Sequence, residues 1–170
     1  MLTANEIKDF ASAIIKNCVA LAIDPVFIDF LDIKVVDPYI DDNGIQAGGG
    51  FIPLPVIGDG GFGGFVIKIV NTELEGDEYK VENRLFTILL HELCHMKQYC
   101  TLLDVLTEKG FDGEDLFDEA DAKWRWIHNE YGYWDCPLER QAYSFMEFGK
   151  SYERHQFKRF VHYFFFGEKI

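Results

Sequence analysis

Cysteine pairs, clustered basic residues and long apolar runs are scarce in this sequence, and each scarcity excludes something. The four cysteines, Cys18, Cys94, Cys100 and Cys136, form no CxxC pair, which argues against a paired-cysteine structural zinc site. They read as thiols of a reducing compartment, where cysteine behaves as a small hydrophobe. Lys and Arg number 16 against 29 Asp and Glu, a formal net charge of −13. That balance argues against a nucleic-acid backbone as partner, because phosphate binding needs clustered cations. No stretch reaches the roughly 18 consecutive apolar residues of a membrane helix. Glu6 and Asp9 stand where a secretory signal would place its basic and then apolar pattern. The expectation is a cytoplasmic chain with neither membrane nor nucleic acid among its partners.

What is present suffices for a folded domain. Of 170 residues, 48% are hydrophobic and 26% charged, a composition that builds a core and a soluble surface rather than a disordered chain. There is no internal repeat and no low-complexity segment. The expected organisation is a single domain over 1–170, with residues from about 142 to 170 as a C-terminal aromatic helical extension. That tail is mildly basic: Lys150, Arg154, Lys158, Arg159 and Lys169 against Glu153 and Glu168 give +3 over residues 150–170, leaving −16 for the rest. An ordinary solvated helix face explains it most simply; docking on the acidic body or on a partner is the second reading.

Residues 4–22 carry apolar side chains at helical spacing, with Thr3 as N-cap and Glu6 completing a capping box, and Pro25 follows as a stop. Residues 28–37 read as a strand closed by Asp37-Pro38. The glycine-rich stretch 41–64 leads into extended segments expected around 45–54 and 63–70. Gly58, Gly60 and Gly63 match GxGxxG, but a strand follows where a dinucleotide fingerprint needs a helix. They read instead as turn and bulge positions at positive φ. From Glu82 to about Leu106 runs the strongest helical pattern in the chain. A shorter acidic helix is expected over 113–130, then a loop with Gly132, Asp135 and Pro137. A last helix from about Pro137 to Phe166 is interrupted near Gly149.

The middle of the strongest helix reads His91-Glu92-Leu93-Cys94-His95, an HExxH motif. Positions 91 and 95 differ by about 40° around a helix, so both imidazoles leave the same face one turn apart. Two nitrogens so placed can reach one zinc at about 2.0–2.1 Å each. Glu92 is turned by about 100° from His91 and can lie beside the metal without binding it. There it would take a proton from metal-bound water, whose pKa zinc lowers to about 7. The motif is embedded in ILLHELCHM, so its polar groups would be expensive to bury unless they bound something.

A catalytic zinc needs a third protein ligand and one open position. Glu139, in the first turn of a helix begun by Pro137, is one candidate, with small Ala142 at i+3 leaving room for a neighbouring helix. A first-turn carboxylate complementing the helix dipole explains it equally well. His128, Asp135, His155 and His162 are the rivals.

LLHELCHMKQY, followed some forty residues later by an aromatic loop and PLERQAY, resembles a group of small HExxH metallopeptidase-like proteins of tailed phages and bacteria. Their pattern is HELxHxxQ, then a tryptophan- and tyrosine-containing region, then PxExxA. The resemblance covers roughly residues 84–146. It implies His91, His95 and Glu139 as Zn2+ ligands, gluzincin-like, with Glu92 as general base and Gln98 as the motif's trailing glutamine. This chain carries Leu138 where many relatives have tryptophan after the proline. The implied fold is α+β and zincin-like: an N-terminal helix and a small twisted sheet packed on the HExxH helix, followed by C-terminal helices.

The resemblance further implies a zinc metallopeptidase of a bacterial or phage-infected cell, or a virion-associated one, acting on a peptide or protein. The alternatives are a zincin-fold structural or interaction protein without turnover, such as a virion component, and a zinc amidase acting on cell-wall peptides. In zincins the strand before the motif helix rims the cleft and pairs with extended peptides. Phe65, Val66 and Ile67 are the matching candidates. Tyr131, Tyr133, His128 and His155 are candidates for stabilising the developing oxyanion. At the C-terminus Phe157, Phe160, Val161 and Phe164 form one stripe at helical spacing, expected to be core. Phe165 and Phe166 extend it toward a surface for a partner protein or self-association.

Overall fold

The computed structural model describes residues 2–40, 46–54, 63–148 and 155–170; Gly58, Gly60, Gly149, Lys150 and Arg154 lie outside them. The chain is α+β. Helix α1, Ala4–Asn17, opens on the expected capping box: the Thr3 hydroxyl accepts from the Glu6 backbone N–H while the Glu6 carboxylate accepts from that of Thr3. Ile7, Ala11, Ile14 and Ile15 bury one face. The helix stops at Asn17, earlier than the apolar spacing to position 22 suggested. A 3-10 turn at Pro25–Ile28 then carries the chain to β1, Leu31–Val36.

Strands β2, Gly49–Leu54, and β3, Gly64–Val70, complete a mixed sheet in the order β1-β3-β2. Strand β1 runs parallel to β3, with Leu31 opposite Phe65, and β2 runs antiparallel to β3, with Gly49 opposite Ile69. At the start of β3, Gly64 takes φ +101°, and a Cβ there would stand 2.4 Å from the Phe30 carbonyl oxygen, so only glycine fits. That carbonyl receives the Phe65 N–H at 2.8 Å.

The 31-residue helix α2, Glu78–Glu108, is the spine of the molecule. It begins four residues before the expected start because Asp77 caps it, its carboxylate accepting the Lys80 N–H at 3.1 Å. Val81, Leu85, Leu89, Leu93 and Met96 face the core at helical spacing. Helix α2 packs on α1, on β2 and β3, and on the three helices that follow it. Among the described residues no helix is long and apolar enough to cross a membrane.

Helix α3, Gly113–Asp135, runs five residues past the expected end. The expected loop at Gly132 is a kink inside it, at φ 63° and ψ 179°. Helix α4, Pro137–Phe148, and helix α5, His155–Phe166, span the expected last helix on either side of residues 149–154, which lie outside the described residues. On α5 the buried stripe is Phe157, Val161 and Phe165, one step around the helix from the expected set. Phe160 and Phe164 are only half-buried and line a cavity of about 700 Å³ between α3, α4 and α5. Phe166 lies under the Lys109 and Lys123 ammonium groups, 4.5 and 4.7 Å from its ring centre. The tail docks on its own chain: Lys158 pairs with Glu108 and Lys109 with Glu168, each at 2.6 Å.

Candidate metal centre

Three side chains from two helices converge in the interior. His91 and His95 leave the same face of α2, and Glu139 reaches them from the first turn of α4. Leu138, Ala142 and Phe145 of the same helix are buried in the core. The Nε2 atoms of His91 and His95 are 3.0 Å apart; Glu139 Oε2 is 3.0 Å from the first and Oε1 is 3.3 Å from the second. A tetrahedral ion with bonds of 2.0–2.1 Å has ligand atoms about 3.3–3.4 Å from one another. Each of the three separations, two of them to different oxygens of the same carboxylate, matches that of a metal site to within a few tenths of an ångström. All three groups are buried, and among the described residues they form the group able to hold an ion. Two imidazoles and a carboxylate suit a first-row divalent metal.

Charge couples the members of the cluster. Burial alone would lower the His95 pKa, but the Glu139 carboxylate beside it outweighs that effect, and Glu92 adds to it; the result is about 9. Burial would raise the pKa of Glu139, but hydrogen bonds from His91 and His95 hold it well below the usual carboxylate range. The imidazole of His95 and the carboxylate of Glu139 thus favour each other's charged forms.

Glu92 is the fourth member. Its carboxyl is buried, and burial raises its pKa against the pull of His95 and His91. Among the described residues it makes no hydrogen bond or ion pair. Strand β2 passes directly over it: a Cβ on Gly49 would stand 3.3 Å from Glu92 Oε1 and only 2.5 Å from the Ile88 side chain. Glycine at 49 lets the strand come this close.

The outer contacts of the two histidines differ. His95 Nδ1 lies 2.8 Å from Gln98 Oε1, and the Gln98 amide nitrogen reaches the Leu138 carbonyl at 3.0 Å and Gln141 Oε1 at 2.9 Å. His91 Nδ1 faces the Met146 sulfur at 3.3 Å, and the Tyr143 ring lies 4.8 Å from the His91 ring. Trp124 of α3 stands edge-on to His95 at 6.3 Å.

The rival ligands are elsewhere. His128 Nδ1–H donates to the Trp124 carbonyl at 2.8 Å, and burial keeps its pKa below the ordinary value. Asp135 is exposed and pairs with Arg140 at 2.5 Å. His162 pairs with Glu168 at 2.7 Å, and the His155 side chain lies outside the described residues. Tyr133 does come to the site, its hydroxyl 3.1 Å from that of Tyr143, and burial raises its pKa further than that hydrogen bond or the Glu139 charge does. Tyr131, two positions back across the Gly132 kink, lines the cavity with Phe160 and Phe164 instead.

Phe65, Val66 and Ile67 require a correction. Strand β3 is the central strand, paired with β1 on one side and β2 on the other, so both its edges are taken and no peptide can add to it. The three side chains are buried, with Phe65 packed against Phe51 and Tyr99. The strand that reaches the site is β2. Sequence reasoning also missed Tyr143 and Met146, although a signal existed: counted from Glu139 they fall at i+4 and i+7, one face of α4.

Compared with known proteins, the chain matches no protein-family model, no curated protein and no solved structure. The functional reading therefore rests on the residues themselves.

Proposed function

We propose that this chain is a zinc-dependent hydrolase of zincin-like fold that cleaves peptide bonds. Zinc bound by His91, His95 and Glu139 would polarise a carbonyl and supply a water whose pKa falls to about 7. Glu92, beside the cluster and without a partner among the described residues, would take the proton of the attacking water and pass it to the leaving amine. The Tyr133 and Tyr143 hydroxyls stand ready to donate to the oxygen that gains charge. An extended substrate would lie along the outer edge of β2, where the antiparallel alternation turns the Phe51 N–H and C=O away from β3. Pro53 falls in the same alternation, on the side where no N–H is needed.

One observation carries this reading: two imidazoles and a carboxylate at metal-site separations, with a second buried carboxylate, Glu92, beside them that has no partner among the described residues. Glu92→Gln tests it, through zinc content and turnover on a peptide library. The variant is expected to keep its zinc and lose turnover by about 10²–10⁴-fold, the usual share of a general base. Unchanged turnover would refute the mechanism. A metal-bound fold without turnover is the second reading, and near-complete burial of all four groups favours it. It predicts bound zinc without exchangeable water and no cleavage in any library. A cell-wall amidase is separated from a protease by adding muropeptides to the library.

A further inference from the structure

The two metal-facing histidines are not held alike, and the difference lies in one amide. We infer that Gln98 and Gln141 form a buried relay that fixes which nitrogen of His95 faces the metal and locks the helix that delivers Glu139. The inference rests on the metal-binding reading above and deepens it.

Gln98 is completely buried, so its amide must find its partners within the protein. The Leu138 backbone carbonyl, 3.0 Å away, can only accept. The group facing it must therefore be the Gln98 NH₂, which orients the whole amide. Its second N–H is directed to Gln141 Oε1 at 2.9 Å. Gln98 Oε1 then has to face His95 Nδ1, at 2.8 Å. An amide oxygen accepts only, so His95 must carry a proton on Nδ1. Its Nε2 is then the nitrogen presented toward Glu139 and His91. A backbone carbonyl on α4 thus sets a tautomer on α2, through a single side chain.

The same amide does a second thing. Leu138 immediately precedes Glu139, so the bond to its carbonyl pins the first turn of α4 at the depth where Glu139 meets both histidines. Gln141, one turn on, supplies the second anchor and lines the cavity beyond α4. Among the described residues His91 has nothing comparable: its Nδ1 meets the Met146 thioether at 3.3 Å, a weak acceptor that orients little. The centre therefore has one rigid histidine and one compliant one.

Gln98 and Gln141 are positioning residues, and their test needs no substrate. Nitrogen NMR of the metal-free protein at pH 10, where imidazoles are neutral, reads the tautomer directly; competition against a chromophoric chelator reads zinc affinity. In the wild-type protein His95 should be protonated at Nδ1 alone. Gln98→Met should give a mixture of tautomers and weaken zinc binding about 10–100-fold, the usual effect of losing a metal ligand's outer hydrogen bond. Gln141→Met should weaken it less, about 3–10-fold on the same scale. Gln141→Glu, which still accepts from Gln98, should remain within about threefold of the wild type. If Gln98→Met does not fold, the two Gln141 variants still decide. A wild-type His95 protonated at Nε2, or equal zinc affinity in Gln141→Met and Gln141→Glu, overturns the relay. Failure of the wild type to bind zinc would sink the proposed function instead, and leave the tautomer result to judge the relay alone.

Discussion

Gly49 on β2 and Glu92 on α2 face each other so closely that a methyl group on Gly49 would stand 3.3 Å from the carboxylate, and 2.5 Å from Ile88 Cγ2. A strand backbone is thereby brought against the candidate general base, with no side chain between them. Gly49→Ala should force Ile88 or the strand to move, at a cost of about 1–3 kcal/mol for overpacking. Urea denaturation of the metal-free protein measures it. A variant as stable as the wild type would show that β2 does not lie where it is described.

Gly64 is a separate test of the sheet, away from the His91–His95–Glu139 cluster. Its φ of +101° and the 2.4 Å approach of a Cβ to the Phe30 oxygen both oppose any side chain. Gly64→Ala should cost roughly 1–3 kcal/mol from backbone strain and displacement, read by the same denaturation, while zinc affinity stays unchanged. An alanine tolerated at no cost contradicts the β1-β3 connection.

The ionic cluster predicts a pH profile for the metal-free protein. His95 has a folded pKa raised from 6.5 to about 9. Its stabilisation is complete below pH 6.5 and lost as pH rises toward 9. The Glu139 pKa is depressed below 4.5, so its contribution is present above pH 4.5 and lost as pH falls. Glu92, raised above 4.5 by burial, favours the folded state at low pH and costs stability as pH rises. The melting temperature without metal should therefore peak near pH 5–6 and decline toward pH 9.

Metal binding must expel the His95 proton, so apparent zinc affinity should rise about tenfold per pH unit up to about pH 9. Chelator competition between pH 6 and 9 measures the slope. A flat profile would mean that His95 is neutral in the metal-free protein.

The part of this site that one helix carries was legible in the sequence. His91, Glu92 and His95 are set by a single helical period, and their placement follows from the spacing alone. Glu139 was not: it lies 48 positions from His91, and no local rule says which face of α4 meets α2. The resemblance supplied that residue, and Tyr143 and Met146, one face of α4 with it, were missed. The rim strand was misassigned for a physical reason. Phe65, Val66 and Ile67 are consecutive apolar residues, the mark of a strand buried on both faces, and hence of a central strand rather than a rim. In α3, Gly132 suggested a loop, but its positive φ is absorbed as a kink.

Zinc titration of the metal-free chain, followed by X-ray absorption of the loaded protein, tests the central claim most directly. The result expected is one zinc per chain, bound by two imidazole nitrogens and a carboxylate oxygen at about 2.0–2.2 Å. Glu139→Ala should weaken that binding by at least about 100-fold, since it removes one of three protein ligands. A wild-type chain that takes up no zinc, or a Glu139→Ala variant that binds it as tightly, would contradict the account.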